Sequence, residues 1–362
     1  MQLFSIGLYE LNLDGTRKLD AQGNFIPSYD NDDIGELAKI FTGFTWTDSP
    51  SFGSGARADT SYTRPMKIDN RYHEPGAKFL LNGQYAPNRN PVNGAADLED
   101  AINNLFQHPN VGPFLAFRLI QRLVKSNPSP AYVARVASTF NDNGQGVRGD
   151  LKAIVKAILL DPEARDCALA DDVVNGMLRE PMVRYTQLAR AFNAAADNST
   201  RYQNRMESFY EKTQQRPLAS PSVFNFFQPE FQPIGPIAEM DMFGPEFQIS
   251  NSLTTIGYAN EVYDWTFDED LMEYGGIYPY EQRPAGTDVQ LDLDTEYDLV
   301  QQGKIEELIE RFNLILVHGK MTERTKTIIK DAVLEVPSNL LEYKMYLALF
   351  LTMISPDYLI MR

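Results

Sequence analysis

The chain has 362 residues, enough for two or three domains or one large one, and 43% of them are hydrophobic. Its formal net charge is −16, from 49 acidic and 33 basic side chains, so its surface repels nucleic-acid phosphates and we expect no nucleic-acid binding. The single cysteine, Cys167, excludes an internal disulfide framework, and no apolar run approaches the roughly 18 residues of a membrane-spanning helix.

The first twelve residues, MQLFSIGLYELN, look like the last turns of an apolar helix with no capping residue before them. They show neither the basic region nor the small-residue cleavage site of a signal peptide. We therefore expect the native protein to begin upstream of Met1. Two turn signals follow, Asp14-Gly15 and Gly23-Asn24, and their spacing predicts a minor β-hairpin.

The next region combines one predicted helix with a long irregular stretch. Asp30 is suited to cap a helix over residues 32–42. Residues 43–93 are rich in Gly, Ser, Pro, Asn and Tyr and form the least helical part of the chain. An irregular stretch of this length in a compact protein is usually functional or mobile.

Four apolar stripes with a period of 3.6 residues predict four consecutive helices. The stripes occupy residues 98–106, 116–124, 133–140 and 151–159. The third helix has Ser129 as a cap and Pro130 at its first position. Connections of roughly 4–10 residues predict mostly antiparallel neighbours, as in helical bundles.

The second half of the chain is also predicted to be helical, with irregular connections. Predicted helices cover residues 180–196, 201–215, 247–263, 299–316, 322–333 and 340–354. Between the second and the third lies a connector rich in Phe and Pro, residues 216–246. The predicted fold is therefore mainly α, a bundle-like array of many helices with a minor β-hairpin and long irregular loops. We treat residues 1–362 as one region with two subregions, a helical core with an irregular insertion at 43–93 (1–215), and the connector with the C-terminal helices (216–362).

Sequence motifs for catalysis are absent. Gly144, Gly146 and Gly149 match the spacing of a dinucleotide-binding loop, but a predicted helix precedes them where that site needs a strand. The glycines are better explained as a loop between two helices. The chain has no G-x-S-x-G, H-E-x-x-H or C-x-x-C motif. No cofactor can be assigned from the sequence.

Three histidines define the candidate sites. His73 lies beside Glu74 in the irregular stretch, where an imidazole next to a carboxylate could act as a general base or a metal ligand, or could simply bond the backbone. His108 ends a predicted helix, where the helix dipole favours a cationic imidazole. If His73 and His108 met in space, with Glu74 or Asp69 as a third ligand, they could bind a metal. His318 ends a later predicted helix.

Several segments together resemble a known family. They include DIGELAKIFTGFTW, LFQHPNVGPFLAFRLIQRL, GVRGDLKAIVKAILLDPEAR and SPDYLIMR. These resemble the bacterial family of uncharacterised proteins catalogued as domain of unknown function 1800, and the resemblance runs from Met1 to Arg362. In that family the segment like MQLFSIGLYELN follows a helical N-terminal region, so the resemblance also implies a missing start.

The resemblance implies a mainly helical fold, and many members of the family look like exported proteins. They are often encoded beside members of another uncharacterised family, number 1501, which looks similar to sulfatases and alkaline phosphatases. The histidine-containing loop of the family matches His73, and its His-Pro element matches His108. Glu74 stands where the family more often has Asp, which keeps a carboxylate.

Two hypotheses about function follow from the sequence and the resemblance. The first is a non-catalytic bacterial protein, exported to the periplasm or the outside, that binds or supports a partner such as a member of family 1501. The second is a hydrolase or metal-binding protein with a site around His73 and Glu74. Its candidate catalytic residues are His73, Glu74 and His108, and Asp69 joins them as a candidate metal ligand.

Overall fold

The computed structural model describes residues 1–54, 63–169, 172, 174–196, 207–267 and 289–361. Over these ranges the chain is mainly α-helical, and its strands form antiparallel pairs of two residues each. This confirms the predicted fold class. None of the described helices has the length and apolar character needed to cross a membrane.

The chain folds into two compact units. Unit 1 comprises Met1–Leu123 and Pro128–Asp166, and unit 2 comprises Val124–Asn127 and Cys167–Arg362. The boundary between the units therefore follows Asp166, whereas the sequence suggested a division after residue 215.

Unit 1 holds the predicted helical bundle and two short strand pairs. Its helices are α1 (Asn31–Ile40), α2 (Gly94–Gln107), α3 (Val111–Leu123), α4 (Pro130–Asn141), α5 (Leu151–Leu160) and α6 (Pro162–Arg165). Strand β1 (Phe44–Thr45) pairs with β2 (Lys67–Ile68), and β3 (Lys78–Phe79) pairs with β4 (Tyr85–Ala86). Helices α3, α4 and α5 pack against one another around the buried face of α4, which consists of Tyr132, Val133, Val136, Ala137 and Phe140.

Side chains at the helix starts explain where these helices begin. The Asp30 carboxylate accepts hydrogen bonds from the N–H groups of Asp32 and Asp33, and the Asp33 carboxylate accepts one from the N–H of Asp30, which completes a capping box. Ser129 accepts a bond from the N–H of Tyr132, and Pro130 occupies the first turn of α4. Both predicted caps are confirmed.

The helix predicted for the first twelve residues is wrong. Instead, residues 8–12, 16–20 and 24–28 hydrogen-bond to one another through Glu10, Lys18 and Ile26, around the predicted turns. Gly7 has a left-handed backbone with φ +74°, and Asn110 donates its side-chain amide to the carbonyls of Ile6 and Tyr9. These bonds from the turn between α2 and α3 hold the segment in a non-helical conformation. The inference of an upstream start loses the helix on which it rested.

Unit 2 contains the remaining helices and two further strand pairs. Its helices are α7 (Pro181–Ala191), α8 (Glu207–Thr213), α9 (Pro236–Glu239), α10 (Ser252–Phe267), α11 (Asp294–Gln301), α12 (Ile305–Val317), α13 (Glu323–Glu335), α14 (Leu341–Ile354) and α15 (Pro356–Leu359). Strand β5 (Met177–Leu178) pairs with β8 (Ile360–Met361), and β6 (Ala195–Ala196) pairs with β7 (Val289–Gln290). The core is aromatic in part: Trp265 packs on Tyr185 and Phe209, and Phe192 contacts the fully buried Phe312.

One predicted helix of unit 2 is divided in two, and another is described only in part. The helix predicted over 299–316 is two helices, α11 and α12, because Gly303 adopts a left-handed backbone with φ +72° between them. Of the helix predicted over 201–215, residues 201–206 lie outside the described residues, and α8 covers part of the rest.

Helices α8 and α10 approach so closely that only glycine fits at one position. A Cβ atom added at Gly257 would lie 2.3 Å from the carbonyl oxygen of Lys212. We therefore expect Gly257→Ala to lower the free energy of unfolding by about 2 kcal/mol or more, since the helices must move apart. Urea denaturation of the full chain measures this change.

Gly35 is the matched control for this substitution. It lies on an exposed face of α1, with no heavy atom within 4 Å of an added Cβ. Gly35→Ala should raise stability by up to about 1 kcal/mol through helix propensity. Equal stability of the two variants would contradict the close approach at Gly257.

Candidate functional site

A buried carboxylate, that of Asp97 in the first turn of α2, gathers the charged groups of the irregular stretch. Its Oδ2 accepts bonds from Lys78 Nζ at 2.5 Å and lies 3.0 Å from His73 Nε2. Arg89 donates to the other oxygen and also reaches Asp100 at 2.6 Å. The side chains of Asp97, Lys78 and His73 are each at most 3% exposed, so the cluster is closed to solvent except at Arg89.

A tight hairpin brings Lys78 to this carboxylate. Alternation along β3 turns Lys78 inward and leaves Phe79 exposed, and Lys78 pairs across the hairpin with Ala86. Residues 80–84 connect the strands, and the N–H of Gln84 donates to the carbonyl of Leu81 across Asn82 and Gly83, whose φ values are +59° and +68°. Positive φ at both central residues is typical of a two-residue hairpin turn, for which Asn-Gly is the strongest sequence signal.

Both ring nitrogens of His73 face oxygen acceptors. Nδ1 lies 3.1 Å from the carbonyl oxygen of Thr42, and Nε2 lies 3.0 Å from Asp97. The Thr42 hydroxyl donates to the carbonyl of Lys39, so it is not a donor to the ring. Gly94 makes room for the ring, because a Cβ there would lie 2.8 Å from His73 Cγ.

Hydrogen bonds decide the charge of Asp97. Burial alone raises the pKa of this carboxyl group, but the bonds donated by Lys78, His73 and Arg89 outweigh burial and hold the pKa below its ordinary value. Asp97 is therefore ionised at neutral pH. It neutralises part of the positive charge that Lys78 and Arg89 bring into unit 1.

The predicted partners of His73 have other roles. Glu74 is exposed, and its backbone N–H donates to Thr42 Oγ1 at 2.8 Å. Asp69 binds Arg71 through two bonds of 2.6 and 2.9 Å, and the bond from Arg71 lowers the pKa of Asp69 to about 2. The structure hydrogen-bonds His73 to Asp97 and Thr42 rather than to either of these carboxylates.

His108 ends α2 as the sequence predicts, but it is not the cation there. Its Nδ1 accepts a bond from the N–H of Asn110, and burial lowers the pKa of the ring, so His108 is neutral. Arg148 supplies the positive charge, because it donates to the carbonyls of Phe106 and His108. The guanidinium of Arg148 also lies 4.8 Å from the ring centroid of Phe140.

The candidate residues of the sequence do not form a metal site in the described part of the structure. Across the described ranges, no group of three or more His, Cys, Asp or Glu side chains is arranged to hold a metal ion. The sequence did not indicate that Asp97 is a partner of His73, or that Arg89 binds the same carboxylate. The Asn82-Gly83 turn was the available signal, since a hairpin there folds the chain back beside the start of α2.

Comparison with protein families finds one match over the chain. The family model described as "Protein of unknown function (DUF1800)" matches residues 1–360. Comparison with curated proteins and with solved structures finds no match.

The cluster predicts that Asp97 is essential for stability. Asp97→Asn leaves the ammonium of Lys78 and the guanidinium of Arg89 without their buried carboxylate, which should lower the free energy of unfolding by about 3–5 kcal/mol. Asp100→Asn is the control, since Asp100 contacts the same arginine but is 34% exposed. That change should cost about 1 kcal/mol or less. Similar urea midpoints for the two variants would contradict the central role of Asp97.

The lowered pKa of Asp97 predicts a loss of stability in acid. A carboxyl group whose pKa is lower in the folded than in the unfolded chain stabilises the fold fully above its unfolded pKa, here 3.8. That contribution disappears as the pH falls through the lower folded value. Urea midpoints measured between about pH 6 and pH 2 should therefore fall more steeply for the wild type than for Asp97→Asn. Parallel curves would show that Asp97 is not held ionised by its partners.

Proposed function

We propose that the chain, which belongs to the DUF1800 family, is an exported bacterial protein that binds and supports a protein partner and catalyses no reaction itself. The family description assigns no function, so the proposal rests on the surface of the molecule. The observation that carries it is a set of exposed apolar side chains on residues 216–246, which we call the Phe/Pro segment.

The Phe/Pro segment presents large apolar side chains to solvent. Leu218 and Ile234 are fully exposed, and Val223, Phe224 and Met240 are exposed as well. Single exposed apolar residues are normal on a protein surface, but a concentration of them within one short segment marks an interaction site. Protein partners with an apolar surface would cover these side chains.

Contacts within unit 2 hold the backbone of the segment in place. Phe227 is only 2% exposed and anchors its middle. Near its end, Asn127 bonds both the N–H and the carbonyl oxygen of Phe243 at 2.8 Å. The N–H of Gln228 donates to Gln248 at 2.7 Å. Ile234 lies between these fixed positions, so its presentation costs less ordering on binding.

The charge of the segment indicates the chemistry of the partner. It carries three exposed acidic residues, Glu230, Glu239 and Asp241, and one basic residue, Arg216, whereas its fourth acidic residue, Glu246, is buried. In a chain of net charge −16, this favours a partner whose apolar surface is framed by Lys and Arg side chains. The family resemblance suggests a protein of the sulfatase and alkaline-phosphatase-like family 1501.

The alternative of a hydrolase or metal-binding protein has no comparable observation in its favour. His73 has no exposed side-chain surface. Its two ring nitrogens bond Thr42 and Asp97. The backbone N–H of the neighbouring Glu74 donates to Thr42 Oγ1. The candidate base is therefore engaged inside unit 1 rather than presented to a substrate.

The partner surface is tested with Leu218→Ser/Ile234→Ser. Each apolar side chain buried in a complex contributes about 1.5–3 kcal/mol, so the double variant should weaken binding at least tenfold. The probe is a family 1501 protein from the same organism, co-expressed at native levels and then titrated by calorimetry.

The control for this experiment is Leu151→Ser/Leu159→Ser, which removes two exposed leucines from α5 of unit 1. We expect this control to bind the partner as the wild type does. Equal affinity of the two double variants would contradict the Phe/Pro segment as the binding surface. Repeated failure to recover the family 1501 protein with the wild type would contradict the identity of the partner.

A further inference from the structure

Unit 2 buries two arginines side by side. Arg179 and Arg184 are 2% and 4% exposed, and Arg184 Nε donates to the carbonyl oxygen of Arg179 at 2.6 Å. The guanidinium of Arg179 lies 4.4 Å from the ring centroid of Tyr358, and that of Arg184 lies 4.5 Å from that of Tyr258. Two like charges are thus held close together away from solvent.

Neutral groups bind these guanidinium groups. Arg179 Nη1 donates to Gln187 Oε1 at 2.5 Å and to the carbonyl oxygen of Leu316 at 3.3 Å. In the part of the chain that the structure describes, neither arginine makes an ion pair with a carboxylate. Burial, and then the charge of Arg179, lower the pKa of Arg184. Buried charges are normally paired, so this region of unit 2 favours a negative group.

A small polar cavity gives access to Arg179. Its volume is about 20 Å³, and Arg179 lines it together with His318, Lys320 and Asp357. Arg179 is buried, whereas His318 and Lys320 are exposed, so the arginine forms the floor and the other two belong to the rim. The Oδ2 atom of Asp357 accepts bonds from the N–H and the hydroxyl of Thr322 at 2.8 and 2.9 Å, which ties this carboxylate to the start of α13.

The chain turns sharply at the rim. His318 ends α12 with a left-handed backbone, φ +57°, and Lys320 follows two residues later. Partial desolvation, and then the charge of Arg179, lower the pKa of His318. A negative group in the cavity would reverse the effect of Arg179, so the ring of His318 reports on what occupies it.

We propose that this cavity binds the oxygen end of a small oxyanion, a phosphate, sulfate or carboxylate group. Arg179 Nη1 is bound to Gln187 and Leu316, but a guanidinium has five N–H donors, so others remain for such oxygens. Lys320 adds a second positive charge to the lining, which outweighs the single negative charge of Asp357. The volume admits only the oxygen end, so the remainder of the ligand lies outside. This site does not involve the Phe/Pro segment and does not depend on the function proposed above.

A purely structural role is the competing explanation for Arg179. Its bond to the carbonyl of Leu316 caps the last turn of α12, where a cation is favoured in any case. That role requires no ligand and predicts no response of His318 to anions. The experiment therefore follows His318 as well as stability.

The test uses the full chain with inorganic phosphate, sulfate and acetate, each titrated at constant ionic strength against sodium chloride. We expect at least one anion to raise the melting temperature in a saturable way and to raise the pKa of His318 measured by NMR. Preference for acetate would indicate a carboxylate ligand, and preference for phosphate or sulfate a tetrahedral one.

Two variants locate the site. Lys320→Gln removes one exposed charge from the rim and should weaken anion binding about tenfold, the effect of losing one charge-assisted hydrogen bond. Arg179→Lys keeps the charge but loses the paired donors, and it should weaken binding further. Lys152→Gln, an exposed lysine on α5, is the control and should change nothing. Responses no larger than those to sodium chloride, or equal affinity of Lys320→Gln and Lys152→Gln, would overturn the proposal.

Discussion

Unit 1 depends on the buried carboxylate of Asp97. A buried negative charge is tolerated only with close donors, and here Lys78, Arg89 and His73 all reach one side chain. These donors come from a hairpin, a loop and a turn that have little regular structure of their own. Because all of them bind Asp97, this part of the irregular stretch is held against α2. The histidine that the sequence singled out for chemistry is therefore part of the electrostatic framework of unit 1.

Unit 2 also buries charged side chains, but these charges are positive and their partners are neutral groups. Arg179 and Arg184 are buried against tyrosine rings and neutral oxygens, with no carboxylate in a position like that of Asp97 among the described residues. In unit 1 the charges are matched internally, which leaves a structural cluster closed to solvent. In unit 2 the unmatched charge lies beside a polar cavity, which favours a ligand. Both clusters are deeply buried, so burial does not distinguish them. They differ in whether the buried charges have partners of opposite charge.

Helices α4 and α2 show how far the sequence could be followed. In α4 the predicted stripe is the buried face, and the predicted cap is present. In α2 the predicted stripe of residues 98–106 includes Ile102, which is 55% exposed, whereas the buried face carries Asp97 and Asn104. Asn104 exchanges two hydrogen bonds with the backbone of Leu81. Asp97 and Asn104 are buried because they bind partners distant in sequence, although polar residues are expected at the surface. Hydrophobic periodicity therefore predicts where this helix lies along the chain, but not which of its faces is buried.

By itself, the sequence determined the mainly α fold, the helix caps at Asp30 and Ser129, the turns around Gly15 and Gly23, and membership of the family. These features depend on local hydrogen bonds and on periodicity within a few residues, which the order of residues carries directly. Only the tertiary structure decided which partners His73 binds, why Arg148 rather than His108 is the cation at the end of α2, and that Leu218 and Ile234 remain exposed. Each of these outcomes depends on atoms that are distant in sequence, and no local pattern encodes which of them meet.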